Sequence, residues 1–163
     1  MNKHNITSTV NGEQVNIDVN ASDLLIDVLR DRGLISIKLA CDMQVCGACT
    51  VLLDGKPYSA CTTLAIEMDG KDILTTEGLA DGENLHIIQQ AFMDKGALQC
   101  GFCTSGIMLS SLALLKENAN PSEDEIKHYL HGNICRCTGY STIVEAVQQA
   151  ASKQQREGVK IYD

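Results

Sequence analysis

The sequence predicts an α+β chain built in two parts. Apolar residues alternate with polar ones up to about Thr75, the period of a strand, and after Thr76 they recur at three and four residues, the period of a helix. Asn11-Gly12 and Asp54-Gly55 punctuate the first part as hairpin turns. Eight cysteines divide four and four between the parts. Residues 1–77 are therefore expected to form a small sheet-and-helix domain, and residues 78–163 a four-helix bundle domain.

Each element has its own signal. Ile6–Val10 and Gln14–Val19 are β-rich runs joined by Asn11-Gly12, and Val15, Ile17 and Val19 bury one face. Ser22 is placed to cap a helix from Asp23 to about Asp31, with Leu24, Leu25, Val28 and Leu29 inward and Gly33 as its stop. Thr50–Leu53 and Lys56–Ser59 make a second hairpin, and Lys71–Thr75 a closing strand after Asp69-Gly70. In the second part Asn84 is placed to cap a helix to about Lys95, with Gly96 at its end and Leu85, Ile87, Ile88 and Phe92 inward. Ile107–Leu115 is nearly continuous in Leu, Met, Ile and Ala and reads as the central helix. Ser122 and Glu125 form a capping box opening a helix to about His131, and Thr142–Gln155 is the last helix. The tail EGVKIYD has no period and is expected to lie on a partner.

The chemistry is carried by cysteine spacing. Cys41-x4-Cys46-x2-Cys49, closed by Cys61, is the plant-type ligand spacing of a [2Fe–2S] cluster. Three thiolates on one short loop wrap the cluster, and the small residues Gly47, Ala48 and Thr50 let backbone N–H groups approach the sulfurs. Disulfides and a zinc knuckle fit this spacing less well. The second set is Cys100-x2-Cys103 and Cys135-x1-Cys137, each pair just before a helix N-terminus, where thiolates are favoured. Taken alone these four leave a redox disulfide, half a zinc site and an iron–sulfur site open. Beside the first set, a second cluster is preferred, because clusters are chained where electrons travel. Two such clusters would tie remote segments together, as Cys49 to Cys61 and Cys103 to Cys135.

Composition narrows the rest. The 163 residues include no Trp, two Phe and four Tyr, so the core is aliphatic and thin, and bound clusters are expected to contribute stability. The net charge of −8 argues against nucleic acid and for a basic patch on a protein partner. No stretch is apolar enough to span a membrane, MNKHNITSTVNG has no signal-peptide pattern, and a cytoplasmic location is expected. No glycine-rich phosphate loop is present, so the chain itself is not expected to bind FAD, NAD or ATP.

Three motifs, CGACTVLLDG (Cys46–Gly55), QCGFCTSG (Gln99–Gly106) and GNICRCTGY (Gly132–Tyr140), resemble the iron–sulfur subunit of the xanthine dehydrogenase/aldehyde oxidase family of molybdenum hydroxylases. The resemblance runs from about Ile6 to Val147. It implies a plant-ferredoxin-like β-grasp domain with one [2Fe–2S] cluster and a four-helix domain with another. It implies eight ligands: Cys41, Cys46, Cys49 and Cys61, then Cys100, Cys103, Cys135 and Cys137. It further implies a large molybdopterin-binding partner subunit, FAD on another partner subunit, and Gln99 and Cys137 at the pterin edge. Three positions depart from the pattern. Ala40 and Gln44 stand where the family has glycine, so the loop between Cys41 and Cys46 is expected to differ in shape. Ser105 replaces a proline, with little consequence expected.

The remaining candidates read as bland. His4, His86, His128 and His131 read as surface or partner-facing, Lys38 as a solvated charge, and Met93 and Met108 as core filler. The expected function is that of an electron-transfer subunit with no bond chemistry of its own. The rivals are a freestanding two-cluster ferredoxin and a zinc-stabilised interaction module.

Overall fold

The computed structural model describes residues 3–157, so the tail beyond Glu157 lies outside the described residues. Strands β1 (His4–Val10) and β2 (Glu13–Val19) pair antiparallel around Asn11-Gly12, both at positive φ as a tight two-residue turn requires. Strands β3 (Thr50–Leu53) and β4 (Lys56–Ser59) repeat this around Asp54-Gly55. Strand β5 (Asp72–Leu74) runs parallel to β1 and antiparallel to β3, joining the hairpins into one sheet of order β2-β1-β5-β3-β4.

Helix α1 (Leu25–Asp31) starts two residues later than expected, and Ser22 does not cap it. The reason lies in where its first amides go. Leu25 N–H donates to the Thr63 carbonyl at 2.8 Å and Ile26 N–H to the Ala60 carbonyl at 3.0 Å. The orphan donors of the first turn are thus met by the backbone on either side of Cys61, and no side-chain cap is needed. Gly33, at φ +89°, follows the helix as expected. Ile6, Val19, Leu25, Ile26, Leu29, Val51, Met68 and Ile73 form the aliphatic core beneath the sheet.

Four helices make up the rest: α2 (Ile87–Asp94), α3 (Thr104–Glu117), α4 (Glu123–Tyr129) and α5 (Ser141–Glu157). Central α3 is buried from Gly106 through Leu115, and its interior Ser111 hydroxyl donates to the Ile107 carbonyl at 2.7 Å. The capping box of Ser122 and Glu125 opens α4 as expected. Helix α2 is capped by His86 rather than Asn84. The His86 ring nitrogen accepts from Ile88 N–H at 3.2 Å, while Asp81 and Asn84 exchange backbone bonds in the preceding turn. His86 is therefore a structural cap. Leu85 and Met93, expected inside, are 43% and 60% exposed, whereas Ile88, Phe92 and Met108 are buried. Asp94 ties α2 to α5. It accepts from Gln90 of its own helix and from Lys153 and Gln149, which hold its carboxyl below the usual value.

The two parts meet along α3, which packs against β3 and β4 and draws Leu52 and Leu74 into the helical core. The contact is closest at two glycines. A β-carbon on Gly106 would lie 2.1 Å from the Gly47 carbonyl oxygen, and one on Gly47 would lie 2.3 Å from the Gly132 carbonyl oxygen. Beside them the Ser105 hydroxyl donates to the Ser36 carbonyl at 2.7 Å. Glu77 accepts from the Ser36 amide at 2.8 Å, from its hydroxyl, and from the Thr75 hydroxyl at 2.6 Å. Despite the opposing effect of burial, those donors hold the Glu77 carboxyl below its usual range. The replacement of proline by Ser105 thus has a consequence: it adds a bond across the seam that proline has no hydroxyl to make.

Gly106→Ala tests this close approach. In an open helix Ala is favoured over Gly by about 1 kcal/mol. Here the obstacle is backbone, and overpacking of about 1–3 kcal/mol or more outweighs that gain. A net lower unfolding midpoint of the cluster-loaded protein is expected in thermal denaturation; an unchanged or raised midpoint contradicts the packing described.

Candidate metal centres

The first cysteine set is assembled by three segments. The loop from Cys41 to Cys49 carries three thiols, and α1 pins the Cys61 segment by the two amides described above. Lys38 N–H donates to the Ala48 carbonyl at 3.1 Å and Ala60 N–H to the Cys49 carbonyl at 3.2 Å, which closes the loop onto the sheet. The Lys38 ammonium donates to the Ile35 carbonyl at 2.8 Å, so it braces the approach to the loop instead of standing free in solvent. Val45 and Cys46 amides both point at the Cys41 sulfur from 3.4 Å. Amide hydrogen bonds from Met43, Cys46 and Val45 bring the Cys41 thiol down to about 6. Cys49 and Cys61 are buried, and burial pushes Cys49 up to about 11.

The second set lies where α3 and α5 begin. Cys103 is the residue before α3, and Cys135 and Cys137 precede α5. Burial pushes Cys103 up to about 12. Against the upward effect of its own burial, Cys135 is brought down to about 7 by the Thr138 hydroxyl at 3.1 Å and amide at 3.5 Å. Cys100 and Cys137 are exposed, with sulfurs 3.6 Å apart, and the Cys100 thiol raises Cys137.

Among the described residues no three His, Cys, Asp or Glu side chains converge as on a single ion. The thiols come in neighbouring pairs instead: Cys41 with Cys46, Cys49 with Cys61, Cys103 with Cys135, and Cys100 with Cys137. Two thiolates on one tetrahedral metal, each about 2.3 Å from it, sit about 3.8 Å apart. The 3.6 Å separation of Cys100 and Cys137 matches that span. Two pairs per set suit a two-metal group with two thiolates on each metal, and the donor chemistry fits [2Fe–2S].

The loop departures resolve differently from each other. Ala40 does not take a positive φ, so a glycine's freedom is not needed there. Gln44 takes φ +59°, the conformation a glycine would adopt without cost, so the loop keeps a glycine-compatible shape at that point. Its side-chain oxygen accepts from the Thr62 hydroxyl at 3.2 Å, linking the loop to the residue after Cys61.

The two sets touch through backbone. Ile134 N–H donates to the Cys46 carbonyl at 2.9 Å, and the Asn133 side-chain amide donates to the Gly47 carbonyl at 3.2 Å. Asn133 is buried, and Ile134 precedes Cys135. Neither residue was assigned a role from sequence. Both lie inside the GNICRCTGY motif, so the signal was present but unread. Gln99 is exposed and adjoins Cys100, which places it at the same surface as the Cys100–Cys137 pair.

Comparison with known proteins agrees with this geometry. A model described as "2Fe-2S iron-sulfur cluster binding domain" matches residues 8–79, and one described as "[2Fe-2S] binding domain" matches residues 75–148. The chain is 50% identical over 142 residues to the nicotine 6-hydroxylase small subunit of Paenarthrobacter nicotinovorans, covering 86% of each chain. It is 43% identical over 154 residues to the nicotinate dehydrogenase small FeS subunit of Eubacterium barkeri, covering 94% of this chain and 98% of that one. A chain of the quinoline 2-oxidoreductase structure from Pseudomonas putida 86 superposes with a TM-score of 0.91 at 42% identity, covering 96% of this chain and 99% of that one. The fold and the paired thiols define an electron-transfer protein with two [2Fe–2S] clusters. Within that class, the chain belongs to the small iron–sulfur subunits of the xanthine dehydrogenase/aldehyde oxidase family of molybdenum hydroxylases. Both matching models are iron–sulfur models and these relatives are subunits, so neither the zinc module nor the freestanding ferredoxin holds.

Magnitudes decide the sign of Gln44→Gly. The left-handed backbone costs a non-glycine residue about 1 kcal/mol or more. A solvent-exposed hydrogen bond such as that to Thr62 returns about 0.5 kcal/mol. The variant is expected to be more stable by roughly 0.5–1 kcal/mol, read as a higher unfolding midpoint with both clusters bound. A lower midpoint would show that the Thr62 link outweighs the strain.

Proposed function

We propose that this chain relays electrons from a molybdopterin centre on a large partner subunit to FAD on a further partner subunit, while that complex hydroxylates a heterocycle or aldehyde. Its parts are a β-grasp, plant-ferredoxin-like domain over residues 1–77 and a four-helix bundle domain over residues 78–163. Cys41, Cys46, Cys49 and Cys61 hold one cluster, and Cys100, Cys103, Cys135 and Cys137 hold the other. Each [2Fe–2S] group, when bound, accepts and releases a single electron. A reducing cytoplasmic setting fits a chain whose eight cysteines serve two clusters and none a disulfide.

The chain's own residues do the positioning. The observation that carries the reading is the Ile134–Cys46 hydrogen bond, because it leaves one backbone contact between the covalent surroundings of the two sets. Asn133 fastens the same contact from the side by its bond to the Gly47 carbonyl. Gly47 and Gly106 permit it, since any β-carbon there would strike backbone. The exposed pair of Cys100 and Cys137, with Gln99 beside it, is the face offered to the pterin edge. Gln99 has both a donor and an acceptor to present there. The exposed apolar residues Leu39, Met43 and Val45 flank Cys41 and Cys46 along the loop and suit the FAD-bearing partner.

The ligand sets are separable by spectroscopy. The reduced protein is expected to show two distinct paramagnetic species, Cys61→Ser abolishing one and Cys103→Ser the other. Both species surviving in either variant would sink the assignment.

Direction of flow is tested at Gln99. With Gln99→Ala, both clusters are expected to stay bound, and substrate-driven reduction of the clusters to slow about tenfold, equivalent to roughly 1.4 kcal/mol for one lost hydrogen-bonding partner. Reduction from the acceptor side is expected to be unchanged. Slowing on the acceptor side instead reverses the orientation.

A further inference from the structure

Tyr140 stands in a conformation that aromatic residues avoid. Its φ is +70°, directly after Gly139 at +66°, and a left-handed backbone at a bulky residue costs about 1–3 kcal/mol. Such strain persists only where the surroundings over-determine it. Here they do. The Tyr140 carbonyl accepts from Val144 N–H at 3.0 Å in the first turn of α5, and its ring packs on the helical core. Its hydroxyl then reaches back along the chain. It accepts from Cys135 N–H at 2.7 Å and donates to the Asn133 carbonyl at 3.2 Å.

Those two bonds bracket Ile134. The Ile134 side chain is 51% exposed, so burial does not fix this residue. Its backbone is fixed on one side by the Tyr140 hydroxyl, through its two neighbours. On the other side Ile134 N–H meets the Cys46 carbonyl and the Asn133 amide meets the Gly47 carbonyl. A three-residue segment is thus clamped between the second cysteine set and the first. Glycine at 140 would remove the strain but also the hydroxyl that does the clamping.

We propose that Tyr140 is a positioning residue for electron transfer between the two clusters, its hydroxyl holding Asn133–Cys135 in the register that brings Ile134 N–H onto the Cys46 carbonyl. The inference rests on the relay reading above. In this role the Tyr140 hydroxyl acts through the backbone of the segment and not through a cysteine sulfur.

The test uses the intact complex with Tyr140→Phe, which keeps the ring, its packing and the backbone strain and removes only the hydroxyl. Iron and labile sulfide content is expected to equal that of the wild type. In hydrogen-exchange mass spectrometry the peptide spanning Ile134 is expected to lose protection. In the doubly reduced protein the magnetic splitting between the two centres is expected to change, and electron equilibration between them to slow several-fold. Tyr140→Gly relieves the backbone strain but loses the ring's packing together with the hydroxyl, and is expected to recover neither the splitting nor the rate. A lowered unfolding midpoint with wild-type splitting, rate and protection would make Tyr140 merely structural and overturn the proposal. Loss of the second cluster in the Phe variant would also overturn it, since the hydroxyl would then serve cluster retention. If the wild-type complex itself shows neither splitting nor equilibration, the relay reading fails, whatever Tyr140 does.

Discussion

The Gly47 carbonyl has no room in front of it. Backbone of α3 lies so close that a β-carbon on Gly106 would come within 2.1 Å of that oxygen, and the Gly132 carbonyl presses equally near to Gly47. Three backbone segments therefore meet with two polar side chains at the junction, the Thr50 hydroxyl at 2.8 Å and the Asn133 amide at 3.2 Å, both donating to the Gly47 carbonyl. The direct bond between Ile134 and Cys46 exists because of that lack of space. A larger residue at either glycine would insert volume where main chain must touch main chain. The seam also confers order, since buried backbone groups must find partners and here find them across the two parts of the chain.

Both thiol sets share a polarity with respect to solvent. Cys49 and Cys61 are buried while Cys41 and Cys46 are partly open; Cys103 and Cys135 are more enclosed than the exposed Cys100 and Cys137. Burial raises Cys49 to about 11 and Cys103 to about 12, so these inner thiols resist ionisation unless a metal takes the charge. Cys41 and Cys135 are already brought down to about 6 and about 7 by donors on their own loops. Each set thus joins a thiol whose surroundings favour the thiolate to one whose burial opposes it. A chain with so few large aromatic residues is expected to draw part of its stability from bound clusters.

The Ser105 hydroxyl adds a second tie across the parts through the Ser36 carbonyl, and Glu77 holds Ser36 in place for it. It lies beside the glycine contact but is of another kind. The glycines set a distance by exclusion, and the serine and glutamate groups set a direction by hydrogen bonding. Ser105 follows Cys103 by two residues, so α3 is held at the end from which a cysteine of the second set projects.

What the sequence by itself determined was much of the local structure. Two Asn-Gly and Asp-Gly turns specified both hairpins, the Ser122–Glu125 pair specified the start of α4, and cysteine spacing specified two sets of four. Such signals act between residues a few positions apart, where covalent geometry leaves few alternatives. Tertiary structure decided the rest. Ser22 and Asn84 had the chemistry of caps, yet the first amides of α1 went to the Cys61 segment and His86 took over at α2. Gln44 was legible as a departure, but only the folded loop shows that it accepts a glycine's conformation and bonds Thr62. The seam of Gly47, Gly106, Asn133 and Ile134 joins residues up to 88 positions apart, from the Cys46 carbonyl to Ile134 N–H. A contact of that separation leaves no periodicity and no spacing behind. It is selected by how two packed surfaces fit, and that fit exists only once both surfaces have formed.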